Sequence, residues 1–279
     1  MTFEEQFETY LKAGSLIVQI VSYETERIHG IINSTADNMD REWYAWNRVE
    51  GLKKWNSYDG QFEEADESLR ASEAVLDFYC EYETAIILIL EGFHPDLSME
   101  QVNTIQRLRN ISFQHEPAKT LVLMQPHQGL PCELEKEVAV LELPLPDRET
   151  LKVIFDQVCS ELDLNDDRIE ESDEILDAAL GLTIMEAKLA FSKAIVEKGR
   201  LTELEIPIIV AEKEQIIKKS GFLEYYHPKE DLNDVGGLDQ LKNWLQRRGK
   251  AFKPGAEEFG LDRPKGVLLL GVPGTGKSL

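Results

Sequence analysis

Gly266-Val267-Leu268-Leu269-Leu270-Gly271-Val272-Pro273-Gly274-Thr275-Gly276-Lys277-Ser278 is the stretch that decides how this chain is read. An apolar segment of strand composition runs directly into the complete pattern G-x-x-x-x-G-K-[ST]. The spacing has a physical reason. Gly271, Gly274 and Gly276 let the backbone turn tightly, so that successive N–H groups converge on phosphate oxygens, and a helix N-terminus expected just beyond adds its dipole. Lys277 then reaches the β- and γ-phosphates, and the Ser278 hydroxyl ligates Mg²⁺. A nucleoside triphosphate is the expected ligand, held by Gly271, Val272, Pro273, Gly274, Thr275, Gly276, Lys277 and Ser278. The bland alternative is a glycine-rich turn with a solvated lysine, which the apolar segment ahead of it disfavours.

Working outward, the chain has 279 residues and a formal net charge of -22. That length suits about two domains. The field repels nucleic-acid phosphates and anionic head groups, so neither nucleic acid nor membrane is an expected partner. A composition of 42% hydrophobic and 29% charged residues is that of a globular protein. The longest apolar run, 85–90, has strand length and falls far short of a bilayer span. Met1-Thr2-Phe3-Glu4-Glu5-Gln6 lacks the basic and apolar regions of a secretory signal, so the protein is expected to stay in the compartment where it is made. Cys80, Cys132 and Cys159 have no paired spacing and read as reduced thiols. His29, His94, His115, His127 and His227 lack ligand spacing, so no separate metal site is expected. Nine acidic residues and one arginine crowd 161–177. That stretch is either a solvated loop and helix face or a docking surface for a basic partner.

The first half alternates strand-length apolar runs with amphipathic helical stretches, the pattern of a largely parallel sheet covered by helices. Strands are expected at 16–21, 43–49, 85–90, 120–124 and 138–143, with helices at 24–33, 72–82 and 99–111 between them. After Pro144-Leu145-Pro146 the alternation stops, and helices are expected at 148–162, 172–180 and 183–198. Thr183 followed by Glu186 is a capping-box pattern for the last of these. A further helix at 208–219 leads to Ser220-Gly221 as its C-terminal cap, and 226–234 reads as a linker. Trp43, Trp46 and Trp55 read as core or interface packing, because no dense basic residues surround them as a base-stacking platform requires.

Ahead of the loop, Asp234-Val235-Gly236-Gly237-Leu238, then 241–250, then Phe259-Gly260-Leu261 and Pro264-Lys265-Gly266 resemble the beginning of an AAA-type ATPase module. The resemblance implies that the triphosphate is ATP and that Val235, Gly236 and Gly237 lie beside the adenine pocket. Pro273 to Lys277 matches the core of that family. Val272 stands where the family more often carries proline, which changes a side chain but no phosphate-facing N–H. Residues 1–200 resemble a second, degenerate copy of the module. In it 85–91 takes the place of the Walker B strand, 120–125 that of the sensor strand, and 143–147 the passage into a helical lid. Gly181-Leu182-Thr183 with Glu186-Ala187 resembles the start of the last lid helix. The first strand, however, runs into Ser22-Tyr23-Glu24-Thr25-Glu26-Arg27, which has no glycine pair and no Lys-Ser/Thr. This copy is therefore expected not to hold a triphosphate, and Glu91 to have no Mg²⁺ to act on.

With Tyr23 to Arg27, Glu91-Gly92-Phe93-His94 and Gly221-Phe222-Leu223-Glu224, the whole arrangement resembles one family: the two-part AAA-type ATPases of cyanobacteria and some plastid genomes, known as hypothetical chloroplast open reading frame forty-six. The implied fold is α/β and P-loop NTPase-like, a parallel sheet flanked by helices with a small helical lid and the start of a second module. The expected organisation is a degenerate AAA-like domain at 1–145, a lid at 146–200, a connecting helix and linker at 201–234, and the start of the ATPase module at 235–279. The resemblance also implies ATP and Mg²⁺ as cofactors, a homo-oligomeric ring, and a cytoplasmic or plastid-stromal location. Hydrolysis further needs a Walker B pair, a sensor and an arginine from a neighbour. No residue of this chain is assigned a catalytic role, and the chain alone is expected not to hydrolyse ATP at a useful rate. Two classes stay open: an ATP-driven remodelling or regulatory ATPase, and a non-catalytic binding or regulatory module. Arg107 and Arg109 either face a neighbouring protomer or line a solvated helix face. Lys242, Arg247, Arg248 and Lys250 either meet a partner or form the polar side of a helix that buries Leu241, Trp244 and Leu245.

Overall fold

Apolar alternation and turn chemistry set the elements of the first half. The computed structural model describes residues 1–114, 116, 118–162, 168–219, 236–252, 256, 260, 266–268 and 270. Its contacts divide into two units, 1–213 and 214–279. In the first unit, α1 (Phe3–Lys12) precedes β1 (Ile17–Val21) and α2 (Thr25–Met39). Next come β2 (Glu42–Asn47), β3 (Gly51–Asn56), β4 (Gln61–Phe62), α3 (Ser72–Glu81), β5 (Ile86–Glu91), α4 (Val102–Ser112), β6 (Lys119–Gln125) and β7 (Ala139–Glu142). The spatial order of the sheet is β4-β3-β2-β5-β6-β1-β7. The five expected strands pair in parallel, β2 on β5, β5 on β6, β6 on β1 and β1 on β7. Successive side chains point to opposite faces. One face packs Ile17, Trp46, Leu88 and Leu123 against α3 and α4. The other packs Val18, Trp43, Ile89 and Val122 against α1 and α2.

Three departures from the sequence reading have physical causes. The strand expected at 43–49 stops at Asn47, whose Oδ1 accepts the Val49 and Glu50 N–H groups at 3.0 and 2.8 Å and turns the chain back. The antiparallel pair β3 and β4 was not expected, because lysines interrupt its apolar pattern. Gly51 is required there. Its φ is +91° and an added Cβ would lie 2.2 Å from the Asp66 carbonyl oxygen. The helix α1 was also not expected, although Thr2 and Glu5 form a capping box and Phe3, Phe7 and Leu11 are buried at helical spacing.

The three tryptophans do not form one cluster. Trp43 stacks on Trp55 at 5.2 Å between centroids on one face, while Trp46 meets Phe93 on the other and donates its indole N–H to the Leu69 carbonyl at 2.5 Å. Period-two alternation separates neighbours that composition placed together.

After β7 the chain is helical: α5 (Arg148–Glu161), α6 (Asp173–Ala179), α7 (Ile184–Lys198) and α8 (Ile206–Lys219). Phe155 of α5 and Phe191 of α7 pack edge to face at 5.7 Å in its interior. The Thr183 and Glu186 capping box forms as expected, with the Thr183 N–H 2.8 Å from Glu186 Oε2. Lys213 of α8 donates to the Ala178 and Leu180 carbonyls at the end of α6, and burial pushes its amine below the usual lysine range.

In the second unit, α9 (Asp239–Gly249) carries Arg248 over the Trp244 ring at 5.5 Å. No residue of α9 is buried, so the expected burial of Leu241, Trp244 and Leu245 is not found. Gly266 to Leu268 and Leu270, expected in a strand, make no strand pairing. A strand exists only as a member of a sheet, and among its described residues this unit supplies no strand to pair with. The Ser220-Gly221 cap, the 226–234 linker, Val235 and the loop 271–279 lie outside the described residues.

Candidate functional site

Open α/β sheets place ligands beyond the carboxyl ends of their strands, where the order of strands reverses. Here β2, β5 and β6 all lie to one side of β1 and β7 to the other, so the reversal falls at β1. Its carboxyl end leads into Ser22 and the N-terminus of α2, the turn that would cradle phosphates in a nucleotide-binding copy. Glu24 occupies the N-cap of α2 and makes no capping bond to that helix. Its carboxylate is instead bound elsewhere. Oε1 accepts the Ile184 N–H at 2.7 Å, and Oε2 pairs with Arg27 Nη1 at 2.9 Å. The same Arg27 nitrogen donates to the Pro144 carbonyl at 2.6 Å.

A cleft of about 340 Å³ opens over this arrangement, lined by Tyr23 to Arg27 on one side and Thr183, Ile184 and Met185 on the other. A triphosphate requires several inward N–H groups and a free cation. The cleft presents a carboxylate, and its single basic lining residue, Arg27, already serves Glu24 and Pro144. Triphosphate does not fit this site. Glu91 ends β5 as expected, but its Oε1 lies 2.5 Å from His29 Nε2 of α2, in a setting also touched by Trp43 and Phe62. The sensor-like strand β6 ends on Gln125, whose buried side-chain amide has no hydrogen-bond partner among the described residues. Beyond it, the His127 carbonyl accepts from Gln19 of β1 at 3.2 Å, and the His127 and His94 rings meet at 5.2 Å.

Arg107 pairs with Asp77 of α3, and Arg109 lies 5.9 Å from the Phe113 ring centroid. Both contacts are within the chain. Four carboxylates of the acidic stretch have partners among the described residues: Glu161 is bound to Lys188, Glu171 to Lys152, and Asp173 and Asp177 to Arg148. Asp147, at the N-cap of α5, accepts the Thr150 N–H and hydroxyl at 2.8 and 2.7 Å, and the Thr150 hydroxyl, followed by its N–H, holds the carboxyl below the usual range. Cys80, Cys132 and Cys159 are free thiols. Among the described residues, no group of three or more His, Cys, Asp and Glu is arranged to hold a metal ion, and no helix is long and apolar enough to cross a membrane.

Of the residues that sequence reasoning assigned to nucleotide, Gly236 and Gly237 are described; both are exposed, and Gly237 adopts a φ of +69° ahead of α9. Val235 and Gly271 to Ser278 lie outside the described residues. What sequence reasoning missed was the Glu24, Arg27 and Ile184 contact. Its two halves are 160 residues apart, and only the i, i+3 spacing of Glu24 and Arg27 was visible beforehand.

Comparison with known proteins extends this picture. The family profile described as SpoVK-like AAA ATPase, N-terminal domain, matches residues 3–143, and that of the second domain of the same family matches 149–220. The AAA domain-containing protein ycf46 of Guillardia theta is 31% identical over 284 aligned residues, covering 100% of this chain and 54% of the relative. The protein of the same description from Trieres chinensis is 30% identical, covering 100% of this chain and 55% of the relative. The chain thus spans about half the length of these curated relatives. Among solved structures, the Thermotoga maritima RuvB Holliday junction branch migration motor overlays at a TM-score of 0.47 and 14% identity, over 80% of this chain and 71% of that one.

Proposed function

The chain belongs to the SpoVK-like AAA ATPase family, and from that premise we propose that it is the first part of an ATPase whose two modules divide the work. The second module, beginning near Val235, binds ATP with Mg²⁺. The first, with its sheet domain and helical lid, takes no nucleotide and serves assembly or partner recognition. Membership in this family implies a nucleotide and, with it, Mg²⁺. We assign the phosphates to the backbone of Gly271 to Ser278 with Lys277, the metal to the Ser278 hydroxyl, and the surroundings of the adenine to Val235, Gly236 and Gly237. Hydrolysis, a ring of like subunits, and residence in a cytoplasm or plastid stroma belong to the same proposal for the intact protein.

The observation that carries this division is the Glu24 carboxylate at the carboxyl end of β1, where the other kind of module carries glycines and a lysine. A carboxylate in that place repels a polyphosphate and occupies Arg27, the cation such a ligand would need.

The test is a titration of the protein, in its full length, with a fluorescent ATP analogue and Mg²⁺. One nucleotide per chain is expected, and Lys277→Ala is expected to weaken its binding by at least about tenfold, as for loss of a charge-assisted hydrogen bond. Equal affinity in the two proteins, or two nucleotides per chain, would overturn the assignment.

A further inference from the structure

Three elements that sequence keeps far apart meet at the Glu24 side chain. It leaves the sheet domain at the start of α2, and its carboxylate takes the first free N–H of α7, the last helix of the lid. Through Arg27 the same group is tied to the Pro144 carbonyl, in the segment where the chain leaves the sheet and enters the lid. The side chains of Glu24 and Arg27 are only 6% and 19% exposed, so this is no solvated surface pair. The positive end of α7 is thereby neutralised by a carboxylate from the sheet domain, beside its own capping-box Glu186.

We propose that Glu24 is a built-in anion that clasps the lid to the sheet domain where a nucleotide-binding module would use a bound phosphate, so that the first domain keeps one lid position in every nucleotide state. The inference rests on the reading that this domain takes no triphosphate and adds what replaces it. The replacement follows from the contacts. An anion between the β1–α2 turn and the lid is what would hold the two together, and here it is covalently part of the chain. The sheet domain and the helices through Lys213 fall in one contact unit, as a permanent clasp requires. A tethered anion is present at a fixed, high effective concentration and does not leave on hydrolysis. The first domain then acts as a static platform, and nucleotide-driven motion is left to other parts of the protein. Glu24 is a positioning residue, and Arg27 keeps its buried charge compensated.

The experiment is amide hydrogen exchange with thermal unfolding on the full chain, comparing wild type, Glu24→Ala and Glu24→Gln, each with ATP and Mg²⁺ and with sodium acetate against sodium chloride of equal ionic strength. Acetate is the probe because the cleft over Glu24 opens to solvent. In Glu24→Ala the Ile184 amide is expected to exchange at least about tenfold faster and the thermal midpoint to fall by at least about 4 °C. Acetate should restore part of both, and chloride should not. A glutamine oxygen still accepts the Ile184 N–H but leaves Arg27 uncompensated, so Glu24→Gln should fall between, with exchange raised at least about threefold and no response to acetate. Wild-type exchange in α7 should not respond to ATP. Should the alanine variant fail to fold, the glutamine variant decides alone: exchange at Ile184 within about twofold of wild type overturns the clasp. An unchanged Ile184 amide in Glu24→Ala overturns it too. A wild-type α7 that ATP protects would instead refute the reading that this domain takes no nucleotide, whatever the variants do.

Discussion

Asp147 is the N-cap of α5, the first helix after the sheet, and its Oδ1 receives both the Thr150 N–H at 2.8 Å and the Thr150 hydroxyl at 2.7 Å. Replacing it with alanine removes the acceptor for an otherwise orphaned helix N–H, which costs about 0.5–2 kcal/mol at such caps. The residue is exposed, so solvent screening places the charge-specific share at the low end of the range for a carboxylate on a helix dipole, about 0.3–1 kcal/mol. Asp147→Asn keeps the acceptor and loses only that share. The Thr150 hydroxyl, then its N–H, lower the carboxyl's pKa in the folded state, so between the folded and unfolded values the unfolded chain binds more protons. The charge-specific stabilisation is therefore fully present above the unfolded value of about 3.9 and is lost as pH falls through the lowered folded value. Thermal unfolding of the three proteins at pH 7, and urea unfolding at several points between pH 5 and 2.5, measure it. At pH 7 the alanine variant should melt about 2–6 °C below wild type, with the asparagine variant between them. The gap between wild type and asparagine should close in the acid range, while a gap to alanine persists. If asparagine is as unstable as alanine, or the gap between wild type and asparagine is the same at pH 7 and pH 3, the capping account is refuted.

Two further outcomes follow from single positions. Gly51 and Gly60 both hold positive φ in the β2–β4 meander, but a Cβ at Gly51 meets the Asp66 carbonyl oxygen at 2.2 Å while one at Gly60 meets nothing within 4 Å. Gly60→Ala should cost about 1–2 kcal/mol of unfolding free energy from backbone strain alone, and Gly51→Ala at least about 1 kcal/mol more; equal costs in urea unfolding would mean that the close approach to Asp66 is absent. Tyr79 is 1% exposed and its hydroxyl has no hydrogen-bond partner among the described residues, so Tyr79→Phe should keep stability or raise it by up to about 1 kcal/mol, and a clear loss in the same assay would reveal a partner for that hydroxyl.

What the sequence alone determined is local. The alternation of apolar runs and amphipathic stretches placed five parallel strands and the helices between them, because period and burial are written residue by residue. Thr183 and Glu186 marked the start of α7 for the same reason: a capping box is complete within four residues. The Thr2 and Glu5 box of α1 is a signal of the same kind. The role proposed for Gly271 to Ser278 is local too, since it rests on the spacing of glycines, a lysine and a serine. Tertiary structure decided the rest. It put Trp43 and Trp46 on opposite faces of one sheet, tied Glu161, Glu171, Asp173 and Asp177 to Lys188, Lys152 and Arg148, and closed Glu91 against His29. Above all it brought Glu24 to Ile184 across 160 residues. Sequence could say that the first turn lacks a phosphate cradle, because an absent pattern is legible. It could not say what fills the place, because a carboxylate finds a helix N-terminus only after the sheet and the lid have been packed together.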